Sequence, residues 1–448
     1  MKKVLIANRG EIAVRIIRAC HELGLKTVAV YATADAQALH VQLADEAVCI
    51  GPADPQKSYL NQPNILAAAA NTQADAIHPG YGFLSENPDF AAACNDSGFT
   101  FIGPTSQVMQ QMGEKSRARA TMQAAGVPIT PGSDHEFTTQ TEGLAAAKKI
   151  GYPVMLKASA GGGGKGMRVI QSEAEFKAQF DLAQSEAINA FGDREMYLEK
   201  YLAQPRHIEV QIAADQFGQV AILGERDCTI QQHHQKVIEE APAAKLDAAT
   251  RKMMYTVSAN AVKDIGYVGV GTLEFLYNGP KQFYFMEMNT RIQVEHPITE
   301  LTTTTDLVQL QLQIAAGRPL PFQTTFIQPQ RYAIECRVNA LSAGQVTALH
   351  LPAGNGVRVE TALYQGYRVP PYYDAMIAKI IVLADTRQQA LAKLRVALDE
   401  TVIAGIHTNL DFLMELIQEP DYIANQTNIN WLDQLTQPIT QHAVFTEI

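Results

Sequence analysis

The sequence predicts a mixed α/β fold whose N-terminal part is Rossmann-like. Residues 3–112 alternate short apolar runs with helical patterns, which is typical of parallel strands joined by helical crossovers. Farther along, the apolar runs GTLEFLY and FYFMEMN flank the turn sequence NGPKQ and predict an antiparallel hairpin. The chain has 448 residues. At about 150 residues per domain, this length predicts roughly three domains.

The first 112 residues follow the alternating pattern. KVLIA, TVAVY, DAIH and FTFIG predict strands, and a helix is predicted from about Gly10 to Leu23, with Gly24 as its stop signal. The first turn, ANRGEIA, lacks GxGxxG, so no dinucleotide site is predicted there. The loop HPGYGFLSEN follows a strand end, where open α/β sheets bind ligands. Tyr81 and Gly82 are therefore candidate pocket residues, although turn chemistry alone also explains the glycines.

The rest of the chain divides at turn and linker signals. A helix around Lys115 to Ala125 precedes GVPITPG, a predicted hinge or linker. YPVMLKAS and MRVI are predicted strands on either side of GGGGKG, and HIEVQIA is a further strand. A final unit opens near Tyr332 with YAIECRV and continues through IAKIIVLA to a helix from about Thr386 to Glu400.

Composition and charge exclude several classes of protein. The net charge of −10 and the pI near 5.6 give no general attraction to nucleic acid or to an anionic membrane. The five cysteines lack CxxC spacing and predict neither disulfides nor zinc. The N-terminal apolar run is too short for a signal peptide, and no run of about 18 apolar residues occurs. A cytoplasmic protein without a nucleic-acid or membrane partner is therefore expected.

A polar stripe between Met286 and His296 is the strongest sign of a reactive site. The segment reads MEMNTRIQVEH, and in an extended chain its alternate residues project to one side, with Met286 and Met288 on the other. A solvated strand face is the commoner cause of such alternation, but two acids flanking a lone arginine are unusual there. The converging residues are Glu287, Asn289, Arg291, Gln293 and Glu295.

The predicted hairpin brings two acids face to face. If the turn is centred between Pro280 and Lys281, Glu274 lies directly opposite Glu287. Directly opposed residues have Cβ atoms roughly 5 Å apart, and like charges there are destabilising unless a cation lies between them. Magnesium takes one or two carboxylates plus phosphate oxygens, and the amide oxygen of Asn289 completes the predicted ligand set. A slip of one residue in register would undo this prediction.

The segment GGGGKGM is a candidate phosphate-binding turn, because glycine amides approach phosphate oxygens without obstruction from a Cβ atom. It is not a Walker A motif, since Gly166 follows Lys165, and a plain flexible loop has the same composition. Lys157 favours the phosphate interpretation, because an unpaired lysine in an apolar strand is costly to bury. The four glycines are Gly161, Gly162, Gly163 and Gly164.

Other polar groups have simpler explanations. A solvated polar loop suffices for ERDCTIQQHHQK, and this is the favoured interpretation for His233. An ion pair suffices for Arg337, which lies beside Glu335 in IECRV. HIEVQ places three polar residues on one strand face, namely His207, Glu209 and Gln211.

Taken together and in this order, the motifs resemble those of the biotin carboxylase family. The resemblance covers essentially the whole chain and implies an ATP-grasp ligase. It implies a Rossmann-like N-terminal domain at residues 1–112, an ATP-grasp domain at 113–320 with a mobile lid at about 130–203, and a C-terminal biotin carboxylase domain at 321–448. It rests on NRGEIAVR, HPGYGFLSEN, Lys115, Lys157, GGGGKGM, EKYL, HIEVQ, ERDC, HHQK, the Glu274 and Glu287 pair, NTRIQVEH, Arg337 and PYYDAMIAKI.

The resemblance implies ATP-dependent carboxylation of biotin by bicarbonate through carboxyphosphate, the first half-reaction of acetyl-CoA carboxylase in fatty acid biosynthesis. Glu274, Glu287 and Asn289 would hold magnesium or manganese. Bicarbonate would be held by Arg291, Gln293 and the Val294 backbone, with Glu295 as base, Lys236 near the reacting phosphoryl group and Arg337 at biotin. The implied ATP-binding set is Lys115, Lys157, Gly161, Gly162, Gly163, Gly164, Glu199, Lys200, Leu202, His207, Gln231 and His234.

The resemblance also implies a homodimer. The sequence ends at Ile448 without an AMKM motif or a transferase domain, so biotin is expected on a separate biotin carboxyl carrier protein that also serves carboxyltransferase subunits. Three positions depart from the family pattern, namely Gln232 and His233 in place of two arginines, and Thr304 in place of a frequent glycine. The alternatives are a subunit of another acyl-CoA carboxylase, another ATP-grasp ligase, or a catalytically silent nucleotide-binding paralogue.

Overall fold

A computed structural model of the protein describes residues 1–133, 135–159 and 167–435. The glycine segment Gly161–Gly164 lies outside these described residues. The chain divides into two compact units, of which the smaller is Pro128–Pro205 and the larger comprises Met1–Val127 and the chain from Arg206 onward. Within the described ranges, no helix combines the length and the apolar character that crossing a lipid bilayer requires.

A parallel sheet with helical crossovers opens the larger unit. Its central strand is buried on both faces, since Val4 and Ile6 pack into one apolar core and Leu5 into another. The elements are β1 (Lys3–Ile6), α1 (Gly10–Glu22), β2 (Lys26–Ala32), α2 (Leu39–Leu43), β3 (Glu46–Gly51), α3 (Gln62–Asn71), β4 (Ala76–His78), α4 (Pro88–Asp96), β5 (Thr100–Phe101), α5 (Ser106–Gly113) and α6 (Lys115–Ala124). The parallel strand order β3-β2-β1-β4-β5 confirms the Rossmann-like prediction.

The smaller unit packs two helices with a three-stranded antiparallel sheet. Its elements are α7 (Gln140–Ile150), β6 (Val154–Ala158), β7 (Arg168–Ile170), α8 (Glu173–Phe191) and β8 (Met196–Lys200). The strand order is β7-β6-β8. Thr139 and Glu142 form a capping box at the start of α7, while Ser172 caps α8 and Gly192 ends it in the left-handed conformation. These local signals fix where both helices begin.

The rest of the larger unit is built on one long antiparallel sheet. Its first elements are β9 (Arg206–Ala214), β10 (Val220–Gln232), β11 (Gln235–Ala241), α9 (Ala248–Asp264), β12 (Gly269–Tyr277), β13 (Phe283–Asn289), α10 (His296–Thr303) and α11 (Leu307–Ala315). Those that follow are β14 (Tyr332–Asn339), β15 (Gly344–Gln345), β16 (Ala348–His350), β17 (Val357–Thr361), β18 (Arg368–Val369), β19 (Met376–Ala384), α12 (Arg387–Glu400), β20 (Val402–Ala404), α13 (Leu410–Leu416), α14 (Pro420–Ile423) and α15 (Trp431–Gln434).

This sheet has eight strands in the order β13-β12-β9-β10-β11-β14-β19-β17. Because β11 pairs with β14, it runs without a break from residues of the predicted central domain into residues of the predicted C-terminal domain. Two small antiparallel sheets of two strands each, β15-β18 and β16-β20, lie outside it. One polar face of the long sheet therefore collects side chains from strands that are far apart in sequence, such as β9 and β14.

The carboxylate hairpin forms in the predicted register, but the extended chain ends earlier than predicted. Glu274 pairs with Glu287, which confirms the register. The next pair joins Phe275 to Phe285, so Met286 is bulged out of the ladder and is 39% exposed. β13 ends at Asn289, and residues 290–295 are irregular before α10. The interpretation of residues 286–296 as one extended strand is therefore wrong.

Candidate active site

Lys236 lies among three buried glutamates. Its Nζ atom is 2.6 Å from Glu209 Oε2, 3.0 Å from Glu274 Oε1 and 2.5 Å from Glu295 Oε1. Glu209 and Glu274 are partners on adjacent strands, β9 and β12, so their side chains share one face of the sheet. Burial acts to lower the pKa of Lys236, but the three carboxylates outweigh it and raise that pKa well above its usual value. The ammonium group is therefore charged.

Glu295 connects Lys236 to Arg337. Its second carboxylate oxygen, Oε2, accepts a hydrogen bond of 3.0 Å from Arg337 Nη2, and Arg337 Nε donates to Glu239 Oε1 at 2.6 Å. Burial acts to raise the pKa of Glu295, but the charges of Lys236, Arg337 and Arg226 hold that pKa well below its usual value. Glu239 is the opposite case, since burial raises its pKa to about 7 despite the attraction of Arg337. The prediction that Arg337 forms an ion pair is confirmed, with these two acids as its partners.

A fully buried arginine, Arg226, was not singled out in the sequence although it lies in the ERDC motif. It pairs directly with Glu209 across β10 and β9, and its guanidinium contacts the Glu209 carboxylate. All its other bonds are to neutral oxygens, as expected for a buried charge that needs every donor satisfied. These acceptors are Gln211 Oε1 at 2.5 Å, Gln293 Oε1 at 2.6 Å, Thr299 Oγ1 at 2.9 Å and Thr272 Oγ1 at 3.2 Å.

The predicted metal ligands surround Glu274. Asn289 Nδ2 donates to Glu274 Oε1 at 2.9 Å. Glu287 is the direct strand partner of Glu274. Desolvation raises the pKa of Glu287, and the nearby charge of Glu274 adds to the shift. His207 Nε2 lies 3.0 Å from Glu274 Oε2, and ligand atoms of His207, Glu209 and Glu274 all lie within 4.8 Å of one another. His207, Glu209 and Glu274 are therefore a second group of side chains that could bind a cation on the same face.

Arg291 and Gln293 approach this cluster from the irregular segment after β13. Arg291 Nη2 donates to Asn289 Oδ1 at 2.7 Å, and its Nε donates to Glu86 Oε2, also at 2.7 Å. Gln293 Nε2 donates to Glu274 Oε1 at 2.6 Å. Glu86 could not be identified from the sequence, because nothing in HPGYGFLSEN indicates a contact with Arg291, which lies 205 positions away. Glu287 and Asn289 share one face of β13 by strand alternation, whereas Arg291 and Gln293 reach the same cluster only because the chain turns after Asn289.

The remaining predicted substrate residues lie on loops. The Tyr81 hydroxyl donates to Glu11, and Gly82 follows in the left-handed conformation with φ of 68°. The Val294 carbonyl accepts a hydrogen bond of 2.7 Å from Lys379 Nζ. Neither Glu11 nor Lys379 was a candidate from sequence, because each lies in a segment that reads as an ordinary helix or strand.

The predicted ATP-binding residues of the larger unit are only partly together. His207 Nδ1 and Gln231 Nε2 are 2.7 Å apart, while Lys115 is the exposed first residue of α6. The segment ERDCTIQQHHQK is a hairpin of β10 and β11, so the interpretation of it as a solvated loop is wrong except at its tip. That tip is formed by His233 and His234, which are both exposed and have φ of 49° and 65°.

In the smaller unit, Lys157 has a protein partner. Its ammonium group contacts the Glu199 carboxylate, and it lies 5.8 Å from the ring centre of Tyr197. The expectation that Lys157 is unpaired is therefore wrong, because β8 lies beside β6 and supplies an acid. Lys200 Nζ donates to the Gly151 and Tyr152 carbonyls at 2.8 and 3.1 Å. Leu202 is half-buried, just after β8.

Family models match three successive parts of the chain. A family model described as "Biotin carboxylase, N-terminal domain" matches residues 1–109, and one described as "Biotin carboxylase C-terminal domain" matches residues 333–434. Between them, residues 114–323 match "Carbamoyl-phosphate synthase L chain, ATP binding domain". The protein named Biotin carboxylase of Haemophilus influenzae is 52% identical over 443 residues, which cover 97% of this chain and 98% of that protein.

Solved structures agree with the sequence relatives. A biotin carboxylase-beta-gamma-ATP complex from Campylobacter jejuni has a TM-score of 0.91 and 48% identity, covering 96% of this chain and 98% of that one. The biotin carboxylase domain dimer of Hydrogenobacter thermophilus 2-oxoglutarate carboxylase, in complex with MgADP, ADP and bicarbonate, has a TM-score of 0.89 and 45% identity, covering 96% and 97%. The fold and the buried ionic site define a protein of the ATP-grasp class. The chain belongs to the biotin carboxylase family.

Proposed function

We propose that this chain carboxylates biotin with bicarbonate, using ATP. The observation that carries the proposal is that one ionised carboxylate, Glu295, contacts both Lys236 and Arg337. Bicarbonate, which accepts the phosphoryl group, needs a base and a nearby cation. Biotin, which accepts the carboxyl group, needs a fixed cation for the negative charge that develops on its oxygen. The contact of Glu295 with both cations supports the proposal, because the candidate base and the two candidate cations lie in one ionic cluster.

Bicarbonate activation is the first step of the proposed reaction. Arg291 supplies a forked donor for the anion, and Gln293 and the Val294 backbone complete its binding. Glu295 removes the bicarbonate proton, and the resulting oxygen attacks the γ-phosphorus of ATP, giving carboxyphosphate and ADP. Pairing of Lys236 with the phosphate relieves its contact with Glu295, which makes Glu295 a stronger base when ATP is bound.

Biotin carboxylation is the second step. Carboxyphosphate breaks down to CO2 and phosphate, and the phosphate accepts the proton of the biotin ureido nitrogen. That nitrogen attacks CO2 to form carboxybiotin. The negative charge on the ureido oxygen is stabilised by the Arg337 guanidinium, which Glu239 and Glu295 hold in place. We assign Tyr81 and Gly82 to the biotin side of the site.

A divalent cation fits the acids on β12 and β13. Glu274 and Glu287 are directly paired, and the charge of Glu274 helps to raise the pKa of Glu287, so a cation held by both acids would relieve their repulsion. Magnesium or manganese held by these two residues and Asn289 would neutralise the ATP phosphates. His207 and Gln231 are assigned to ATP in the larger unit. The ATP-binding roles of Lys115, Lys157, Gly161–Gly164, Glu199, Lys200, Leu202 and His234 stay predictions.

Phosphate release from ATP by the purified chain tests the proposal directly. With magnesium and bicarbonate, free biotin should accelerate phosphate release, and carboxybiotin should accumulate. Binding of ATP without turnover, even with a biotinylated carrier protein, would support the silent paralogue instead. Turnover that requires an amine substrate in place of biotin would support another ATP-grasp ligase.

The proposed partners are a biotin carboxyl carrier protein and carboxyltransferase subunits, as in acetyl-CoA carboxylase, in the cytoplasm. A homodimer is also proposed, since the related biotin carboxylase domain of Hydrogenobacter thermophilus is described as a dimer. Because that relative belongs to 2-oxoglutarate carboxylase, the acceptor needs its own test. Reconstitution with carrier and candidate transferase subunits, followed by the transfer of labelled carboxyl groups to acetyl-CoA, gives that test.

A further inference from the structure

A lysine that the proposed mechanism does not use is completely buried in the middle of β19. Lys379 has 0% of its surface exposed, and its strand otherwise consists of apolar residues in the sequence MIAKIIVLA. Burying an ammonium group is costly unless charged or polar partners surround it. Such a residue in a core strand therefore indicates a specific task for its side chain.

The partners of Lys379 come from distant parts of the chain. Its Nζ atom donates to the Val294 carbonyl at 2.7 Å and lies 3.1 Å from Glu11 Oε1. The same Glu11 oxygen accepts a hydrogen bond from the Tyr81 hydroxyl. A continuous polar chain thus runs from Tyr81 through Glu11 and Lys379 to the Val294 backbone.

The two ends of this chain belong to opposite sides of the proposed reaction. Val294 is assigned to bicarbonate, and its carbonyl is part of the peptide bond that leads to the base Glu295. Tyr81 is assigned to biotin. Residues 290–295 belong to no strand or helix, and the turn that contains Val294 is closed by a hydrogen bond of 3.3 Å from the His296 backbone N–H to the Gln293 carbonyl. The Lys379 ammonium adds a side-chain restraint on the Val294 carbonyl itself.

We propose that Lys379 and Glu11 are positioning residues that couple the bicarbonate-binding segment to the biotin-side residue Tyr81. This inference rests on the proposed function for its kinetic consequences, but its structural content is independent of turnover. Loss of the ammonium group frees the Val294 peptide and removes the charge that holds Glu11 against Tyr81. Both substrates should then bind less well, while the KM for ATP should not change, because neither Val294 nor Tyr81 is among the residues assigned to ATP.

The test is Lys379→Met, which keeps an unbranched apolar stem in a buried position. We expect kcat/KM for bicarbonate and for biotin each to fall about 10- to 100-fold, as small displacements at a reacting centre do, with the KM for ATP unchanged. Lys393→Met is the matched control. Lys393 also donates to backbone carbonyls, those of Asn355 and Leu383, both at 2.7 Å, but it lies outside the polar chain. This control should leave all three constants unchanged.

A second measurement does not depend on activity. In Lys379→Met, amide hydrogen exchange should accelerate at residues 290–296 and around Tyr81, but not in the N-terminal parallel sheet. Glu11→Gln, which is nearly isosteric, should loosen Tyr81 more than Val294. Wild-type constants for both substrates together with unchanged exchange in Lys379→Met would overturn the inference. If the wild-type protein is inactive but Lys379→Met still exchanges faster than wild type at residues 290–296 and around Tyr81, the proposed function is overturned and the coupling is supported.

Discussion

Arg337 and Glu295 are joined by a hydrogen bond of 3.0 Å from Nη2 to Oε2, although they lie 42 positions apart. The same arginine is held on its other side by Glu239, and the same glutamate is held by Lys236. Neither charged group can move without breaking a buried ionic contact. The base and the cation assigned to the two steps therefore form one rigid unit.

Glu295→Ala should abolish bicarbonate-dependent turnover while leaving ATP binding largely intact. A positioned general base typically contributes about 10²- to 10⁴-fold, so kcat should fall by that factor. Phosphate release with saturating bicarbonate measures the loss, and calorimetric titration with a non-hydrolysable ATP analogue measures binding. Lost nucleotide affinity would instead show that Glu295 mainly orients Lys236 for ATP.

Arg337→Ala should impair carboxybiotin formation more than it slows phosphate release. The guanidinium is assigned to the oxyanion of biotin, and removal of one such donor typically costs about 10²- to 10³-fold in kcat. Parallel assays of carboxybiotin and phosphate give the ratio. Arg337→Lys should recover little, since an ammonium group cannot contact Glu239 and Glu295 in the same forked geometry. Equal losses in both assays would contradict a role specific to biotin.

Stability should depend on pH through Glu239. Burial raises its pKa from 4.5 to about 7 in the folded protein. Because the folded pKa lies above the unfolded one, the stabilisation is complete below about pH 4.5 and is lost as the pH rises through about 7. Glu239→Gln should remove a contribution on the order of 3 kcal/mol from the change in unfolding free energy between pH 4.5 and pH 8. Urea unfolding of both proteins at the two pH values measures it, and parallel pH profiles would count against the raised pKa.

Glu287→Gln should weaken the binding of Mn²⁺ by about tenfold or more, because it removes one of two carboxylates from a hard-cation site. Titration of Mn²⁺ followed by electron paramagnetic resonance measures the affinity. Desolvation and the charge of Glu274 raise the pKa of Glu287, so metal and proton compete and wild-type affinity should increase with pH. Asp399→Asn removes an exposed acid of α12 and should have no effect. Equal affinities for wild type and Glu287→Gln would exclude this ligand.

Thr304→Gly should stabilise the protein. Thr304 ends α10 in the left-handed conformation, with φ of 56°, which is strained for a β-branched residue. Glycine relieves this strain, but its unfolded chain has more conformational entropy, which offsets part of the gain. The net increase in the unfolding free energy should be about 0.5–1 kcal/mol. Thr303→Gly, one position earlier and within α10, should be destabilising by roughly 0.3–0.5 kcal/mol, the difference between the helix propensities of threonine and glycine. A lower midpoint of thermal unfolding for Thr304→Gly would contradict this explanation of the family departure.

Local patterns predicted much of the fold and the acid pair of the site. The alternation in the first 112 residues and the turn between the two aromatic runs are encoded by neighbouring residues, so the parallel sheet and the pairing of Glu274 with Glu287 could be predicted. Prediction failed where a tertiary partner overrides the local pattern. Lys157 has an acid from β8, and the strand expected to reach His296 ends at Asn289.

The order of the motifs, the family they resemble and the types of residue available for the chemistry could all be read from the amino-acid sequence. Tertiary structure alone decided which charges meet. Arg226, Glu239 and Lys379 appear in sequence as ordinary members of strands, and their importance follows from having no exposed surface. A charge in water needs no particular partner, whereas a charge removed from water must find one wherever the fold brings it. Pairing across the long antiparallel sheet therefore made one ionic network from residues that no local pattern connects.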